Sequence, residues 1–425
     1  MLDARFIREN LAAVRQRLAT RGAEVSLDAF VAADAERRRI LGEVEARRAE
    51  LNRLSKQVGE AVQRREDATE PRTKAAALGP AIQEFDARLK KVEAQIEELL
   101  LAVPNLPHAS VPLGRDGAEN VQVRRWGTPR EFPFAPRPHW EIGEGLGILD
   151  LERAAKVAQS RFPLLRGAGA RLERALIAFM LDLHTREHGY LEWLPPLLVN
   201  RDCMVGTGQL PKFGEELYHA AADDLFLIPT AEVPVTNVHR DDILDGAALP
   251  IAYTAWTPCF RREAGAHGKD TRGLIRVHQF DKVELVRFCR PEESGAEHER
   301  MTRHAETILE RLEIPYRVLE LAAGDLGFAS ARTLDLEAWA GGVGAWLEVS
   351  SSSCFTDFQA RRAGIRFRPE VKAKPELVHT LNASALAFPR TIIALLENNQ
   401  AADGSVRVPA ALAPYLGSDR LVPRA

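Results

Sequence analysis

The sequence predicts an α+β protein, an N-terminal antiparallel coiled-coil hairpin followed by an antiparallel sheet flanked by helices. Three observations carry this reading. From about Ser26 to Leu101, apolar residues recur at alternating three- and four-residue steps. The middle of the chain holds short apolar and alternating runs, without regular strand–helix–strand alternation. Two helical stretches, GARLERALIAFMLDLHTREHGY and RTIIALLENNQ, bracket those runs.

In the hairpin, Leu78, Ile82, Phe85, Leu89, Val92, Ile96 and Leu99 line the second helix. Ile40, Val44, Leu51, Leu54 and Val58 line the first, with Arg47 interrupting the stripe. EDATEPRTK supplies the turn, and Pro71 is expected to stop helical continuation. At 1.5 Å per residue such arms reach roughly 40–55 Å. Too little apolar surface is available for a globular core, so the arm is expected to project. Arg47, Arg48, Arg53, Lys56, Arg64, Arg65, Arg72 and Lys74 load its outer half with positive charge. A rigid basic rod suits the phosphate backbone of a structured RNA; the plainer reading is a spacer or oligomerisation rod.

The expected organisation is residues 1–102 as a helical domain, 103–139 as a Pro-rich extended linker and 140–425 as the main domain. LEWLPPLLV reads as a strand with prolines tolerable only at an edge or interface. Further strands are expected at Leu225–Ile228, Ala255–Arg262, Leu274–Val286 and Ala345–Ser350. Hydrophobic content of 45% and charged content of 28% over 425 residues exclude a disordered or membrane protein. A net charge of -3 means that RNA binding needs a local basic surface. Four scattered cysteines, and a start (MLDARFIREN) without a long apolar run, point to a reducing cytoplasm. No Gly-rich phosphate loop is present, so a nucleotide must be held by side chains.

Four segments carry candidate chemistry. LIPTAEVPV places Thr230, Ala231 and Glu232 in an apolar stretch, and PCFRREAGAHGKDTRG sets Arg261 and Glu263 two apart, then a glycine-rich basic loop. RVHQFDKVE, read with period two, puts Arg276, His278, Phe280, Lys282 and Glu284 on one face. A sheet face with both charge signs around an aromatic is poor core and a good floor for a phosphate, a flat ring and an amine. WLEVSSSSCFTDFQARR offers Glu348 and Ser351, and HTLNASALAFPRTIIALLEN offers Asn382, Ser384 and Arg390 at the start of a helix. Singly, each has a dull explanation, such as a surface salt bridge, a core ring or a loop serine.

As an ordered set, with GTGQLPKF and the hairpin, these motifs resemble the bacterial-type seryl-tRNA synthetases, which are class II aminoacyl-tRNA synthetases. The resemblance spans essentially the whole chain. It implies a homodimer whose antiparallel sheet cradles ATP, activates L-serine with Mg2+ and loads tRNA(Ser), and also tRNA(Sec), through the arm at 34–99. It implies that Arg261 and Arg390 are catalytic, Arg261 on the α-phosphate and serine carboxylate and Arg390 on the γ-phosphate. Thr230, Ala231, Glu232, Arg261, Glu284, Asn382 and Ser384 would hold serine. Arg261, Arg262, Glu263, Arg276, Phe280, Glu348, Val349, Ser350, Ser351 and Arg390 would hold ATP. In that set Glu263 takes the adenine amino group, Phe280 stacks beneath the ring, and Glu348 and Ser351 bind Mg2+.

Ala383, Ala385 and Pro389 stand where the family often has glycine, and SSSSCF replaces the commoner SSCSNC. Two other readings fit parts of the pattern. A paralogue that loads an amino acid onto a carrier protein has little use for the basic arm. A catalytically dead RNA-binding core would be expected to lose Arg261, Glu348 or Arg390, and all three are present.

Overall fold

Hydrophobic periodicity and helix ends together decide the N-terminal hairpin. The computed structural model describes residues 1–22, 25–264 and 272–423. Helix α1 (Asp28–Arg64) and helix α2 (Thr69–Leu101) pair along the expected seam, with Ile40, Val44, Leu54, Ile82 and Ile96 buried. Arg47 does not break that seam. Its guanidinium lies 4.2 Å from the centroid of Phe85 on the facing helix, covering the ring where an apolar side chain was expected. Pro71 starts the second helix instead of ending the first, because it falls in the opening turn, where a missing N–H leaves no helical bond unmade. The first helix stops at Arg65, in the left-handed region at φ 58°, whose N–H returns to the last turn.

The chain divides into two compact units, Leu2–Ala19 with Glu24–Pro104, and Asn105–Ala425 with Met1 and Thr20–Ala23. An eight-stranded sheet organises the second unit. Its strands are β1 (Val121–Trp126), β2 (Leu191–Glu192), β3 (Ile251–Phe260), β4 (Gln279–Cys289), β5 (Tyr316–Glu320), β6 (Arg332–Ala340), β7 (Ala345–Cys354) and β8 (His379–Ala387). They lie in the order β1-β5-β6-β7-β8-β4-β3-β2, antiparallel throughout except for β2 beside β3. Helices α3 (Ala168–Arg186), α4 (Ser294–Arg311) and α5 (Phe388–Asn399) bury apolar stripes against one face of it, around Leu172, Leu176, Met180, Met301, Ile308 and Ile393.

Residues 103–139 are not only an extended linker. Val121–Trp126 pairs with Tyr316–Glu320 as the outermost strand, and Asn105 is buried, donating from Nδ2 to the carbonyls of Ala329 and Phe355. Asn382 and Ser384 lie on a strand and not at a helix start; only Arg390 is helical. Strand β4 begins five residues later than expected. The N–H of Leu274 bonds to His139 Nε2 and that of His278 to the Arg161 carbonyl, so neither is offered to the ladder.

Candidate active site

The hairpin of β3 and β4 forms the floor of the site. Phe260 pairs with Gln279, Cys259 with Phe280 and Ala255 with Glu284. One face of β4 presents Phe280, Lys282 and Glu284 in alternation; the other buries Val283 and Leu285 in the core beneath α3. Strand β8 lies on the far side of β4 and sets Ser384 opposite Glu284. Two adjoining cavities, of about 270 and about 430 Å³, open over this floor. Arg261, Glu263, Lys282, Glu348 and Ser384 line both.

The first cavity combines an aromatic wall with cationic side chains. Phe280 forms part of its wall, with Arg276, Val277 and Val349. Arg261 leaves the end of β3 with its guanidinium carbon 5.2 Å from the Phe280 ring centroid and its Nε donating to the Pro229 carbonyl. It forms no ion pair among the described residues, so its charge is available at the junction of the cavities. Glu263, at φ 50°, accepts a hydrogen bond from Arg276 Nη1 at 2.6 Å. Arg390 sits in the first turn of α5, behind Pro389, and donates to the backbone carbonyls of Ile275 and Glu348. The helix N-terminus adds a favourable dipole for anions there.

The second cavity ends in a buried polar network. Thr230 donates to Glu284 Oε2 at 2.9 Å and accepts from Lys282 Nζ at 2.9 Å and from the Glu232 N–H at 3.1 Å. Asn382 donates to Glu284 Oε1 at 3.1 Å, and Lys282 also forms an ion pair with Glu284. Gln359 donates to Glu232 at 2.6 Å and is itself fixed by Thr380. Burial raises the Glu232 carboxyl to about 7, and the neighbouring Glu284 charge adds to the effect. Glu284 is likewise raised by burial, with Lys282 pulling it back down. Two carboxylates, Glu232 and Glu284, and two cations, Lys282 and Arg261, thus gather at or just behind one end of this cavity.

Glu348 and Ser351 stand three apart, which on a regular strand puts them on opposite faces. A register shift between Leu336 and Glu337 makes β7 bulge at Val349, and Glu348 and Ser351 both line the second cavity. Asp335 is paired with Ser351 on the adjacent strand, its carboxyl driven well above the usual range by burial and then by the Glu348 charge. Its Oδ1 has no hydrogen-bond partner among the described residues. Carboxylate and hydroxyl oxygens are hard donors of the kind a small divalent cation takes. Among the described residues no group of three or more His, Cys, Asp or Glu side chains is placed to hold a metal ion.

Other expected residues fall elsewhere. Ala231 and Ser350 are buried, Ser350 donating to the Ser384 carbonyl, and Arg262 packs toward Tyr218 outside both cavities. His278 does not share the Phe280 face: it contacts Arg161 and Phe162. The glycine-rich basic loop lies, from 265 to 271, outside the described residues. At its end, Gly273 has φ +67°, and a Cβ there would lie 2.2 Å from His139 Nε2, so only glycine fits. The methyls of Ala383 and Ala385 point into the core, away from Asn382 and Ser384, and Pro389 occupies a helix-opening position that favours proline.

Relatives are consistent with this geometry. Residues 216–399 match the model of the tRNA synthetase class II core domain (G, H, P, S and T), and residues 1–107 that of the seryl-tRNA synthetase N-terminal domain. The chain is 57% identical over 417 residues to a serine–tRNA ligase of Citrifermentans bemidjiense, covering 98% of this chain and 99% of that one. The chain belongs to the seryl-tRNA synthetase family. It is also 54% identical over 419 residues to the serine–tRNA ligase of Geobacillus kaustophilus. The fold superposes on the Pyrococcus horikoshii seryl-tRNA synthetase complexed with ATP, with a TM-score of 0.95, 40% identity and 100% coverage of both chains. In this seryl-tRNA synthetase family member, Lys282, Asp335 and Gln359 were missed from sequence. Lys282 had a signal, since period two placed it beside Phe280 and Glu284; Asp335 and Gln359 enter only through tertiary packing.

Proposed function

We propose that the two cavities divide the ligands of serine activation between them, ATP over Phe280 and L-serine over Glu284, with Arg261 at their junction. The reaction is that of the family: ATP-dependent activation of serine to seryl-adenylate, then transfer to tRNA in protein synthesis. The observation that carries the proposal is the Arg261 guanidinium, without an ion pair among the described residues, lining both the cavity walled by Phe280 and the cavity that ends at Thr230 and Glu232.

Arg261 draws the serine carboxylate and the α-phosphate together and neutralises both. A carboxylate oxygen attacks the α-phosphorus, the new O–P bond forms, and the bond to the bridging oxygen breaks to release pyrophosphate. No general base is needed, because the attacking carboxylate is already ionised. Thr230, Glu232, Glu284, Asn382 and Ser384 orient the ammonium and hydroxyl. Glu263 and Phe280 hold adenine, for which Glu263 gives up its bond to Arg276, and Arg276 with Arg390 takes the outer phosphates. Glu348 and Ser351 would bind Mg2+, with Asp335 behind them; the ion supplies charge neutralisation of the triphosphate.

The arm carries RNA recognition for tRNA(Ser) and tRNA(Sec). Arg48, Arg53 and Lys74 sit in exposed ion pairs with Asp86, Glu50 and Glu70. Arg64, Arg65 and Arg72, at the turn end of the hairpin, form none among the described residues and are available to phosphates. Homodimerisation is supported by the outer edge at β2, where Leu191 and, just beyond the strand, Leu194 are exposed leucines. A cytoplasmic setting is supported by four free cysteines, and no helix among the described residues is long and apolar enough to cross a membrane.

Removing residues 34–99 tests the division of labour. Serine-dependent ATP–pyrophosphate exchange should persist while tRNA charging is lost. Normal charging by the shortened chain would remove the arm from RNA recognition.

A further inference from the structure

Thr230 has no hydrogen-bonding capacity left. Its one proton goes to Glu284, and its two lone pairs take Lys282 Nζ and the Glu232 N–H. Yet Thr230 lies at the end of the cavity assigned above to the amino-acid ammonium, with the buried Glu284 carboxylate bonded directly behind it. Lys282 Nζ already stands there, on Thr230 and in an ion pair with Glu284, with only 5% of its side chain exposed. A second ammonium arriving beside it would meet a like charge in a buried site and would find the Thr230 oxygen taken.

We infer that Lys282 is a resident stand-in for the ammonium of the amino acid, displaced from Thr230 and Glu284 when serine binds and moved toward Arg261 at the junction of the cavities. The inference rests on the placement of serine in the second cavity. The exchange is one ammonium for another, so the buried Glu284 carboxylate keeps a cationic partner throughout. Lys282 has the reach for it: a flexible four-carbon stem, rooted on β4 between Phe280 and Glu284, on the wall common to both cavities. Once displaced, its charge faces the anions that Arg261 gathers, and it adds to stabilisation of the negative phosphorus centre. Lys282 therefore couples occupancy of the serine pocket to readiness of the phosphate pocket. A ligand that lacks an ammonium cannot make the exchange.

Two measurements test this. The first is a structure of the wild-type chain with a non-hydrolysable seryl-adenylate analogue. Lys282 Nζ should be off both Thr230 and Glu284, with the analogue's ammonium in its place; Lys282 still bonded to both overturns the inference. The second compares Lys282→Met with wild type, using serine binding without ATP and pyrophosphate exchange. The placeholder role predicts serine affinity no weaker than wild type, with turnover down by about thirtyfold or more. A lysine that stays in place as a fixed part of the receptor instead predicts serine affinity weakened by more than about threefold, and that result, or unchanged turnover, overturns the inference. Absence of serine-dependent exchange in the wild type would overturn the functional assignment itself, which separates the two failures.

Discussion

The helical hairpin and the β3–β4 floor handle charge in opposite ways. On the hairpin, Arg48 meets Asp86 at 2.9 Å and Arg53 meets Glu50 at 2.6 Å, all four side chains well exposed. Water screens such pairs, and they add little to stability. On the floor, Lys282, Glu284 and Thr230 are buried and bonded to one another, and Glu232 is tied to Gln359. Loss of one partner there leaves a polar group stranded in a dry site. The hairpin's fold therefore rests on its apolar seam, which leaves its charges exchangeable for RNA phosphates. The floor's charges are set in place before substrate arrives, each held by a buried partner, and Lys282 yields its place only to another ammonium.

Arg261→Ala should lower kcat/KM for pyrophosphate exchange by about 10³, or ~4 kcal/mol, with the fold intact by circular dichroism. An unchanged rate would take the guanidinium out of the mechanism. Next comes the contrast within the hairpin. Ile40, fully buried in the seam, should cost ~2–4 kcal/mol on Ile40→Ala in a denaturant titration of the hairpin signal. Arg48→Ala should shift the same transition by no more than about 0.5 kcal/mol. Equal effects would mean that the surface charges do hold the arm.

Glu232 sharpens the comparison through pH. Its carboxyl is raised to about 7, so it is ionised above that pH and neutral below. The ionised form favours the serine ammonium, so KM for serine should rise about tenfold between pH 8 and pH 6. Glu232→Gln should flatten that part of the profile. For stability the sign is reversed: the folded chain holds this proton up to about 7 while the unfolded chain releases it near the ordinary carboxylate range, so the contribution falls as pH rises through that window. An unaltered pH dependence of KM in Glu232→Gln would assign the titration elsewhere.

Much of this was legible before the structure. The seam of α1 and α2 and the alternation of Phe280, Lys282 and Glu284 follow from period alone. The misses share a cause, since period reports which face a residue takes only while the strand is regular. The bulge at Val349 is what brings Glu348 and Ser351 together, and the ties of Leu274 to His139 and of His278 to Arg161 delay the start of β4 to Gln279, beyond Arg276. Val121–Trp126 was hidden among prolines because an outermost strand needs only one row of ladder bonds and little apolar side-chain content. Gln359 lies 127 residues from Glu232 in the chain, and only folding joins them.

The most direct test of serine activation on this floor is ATP–pyrophosphate exchange by the full chain, run separately with each amino acid. Exchange is expected with serine, and exchange with alanine lower by about 10⁴, because alanine leaves the hydroxyl-binding groups unpaired. Exchange driven equally by alanine, or by another amino acid in place of serine, would contradict it.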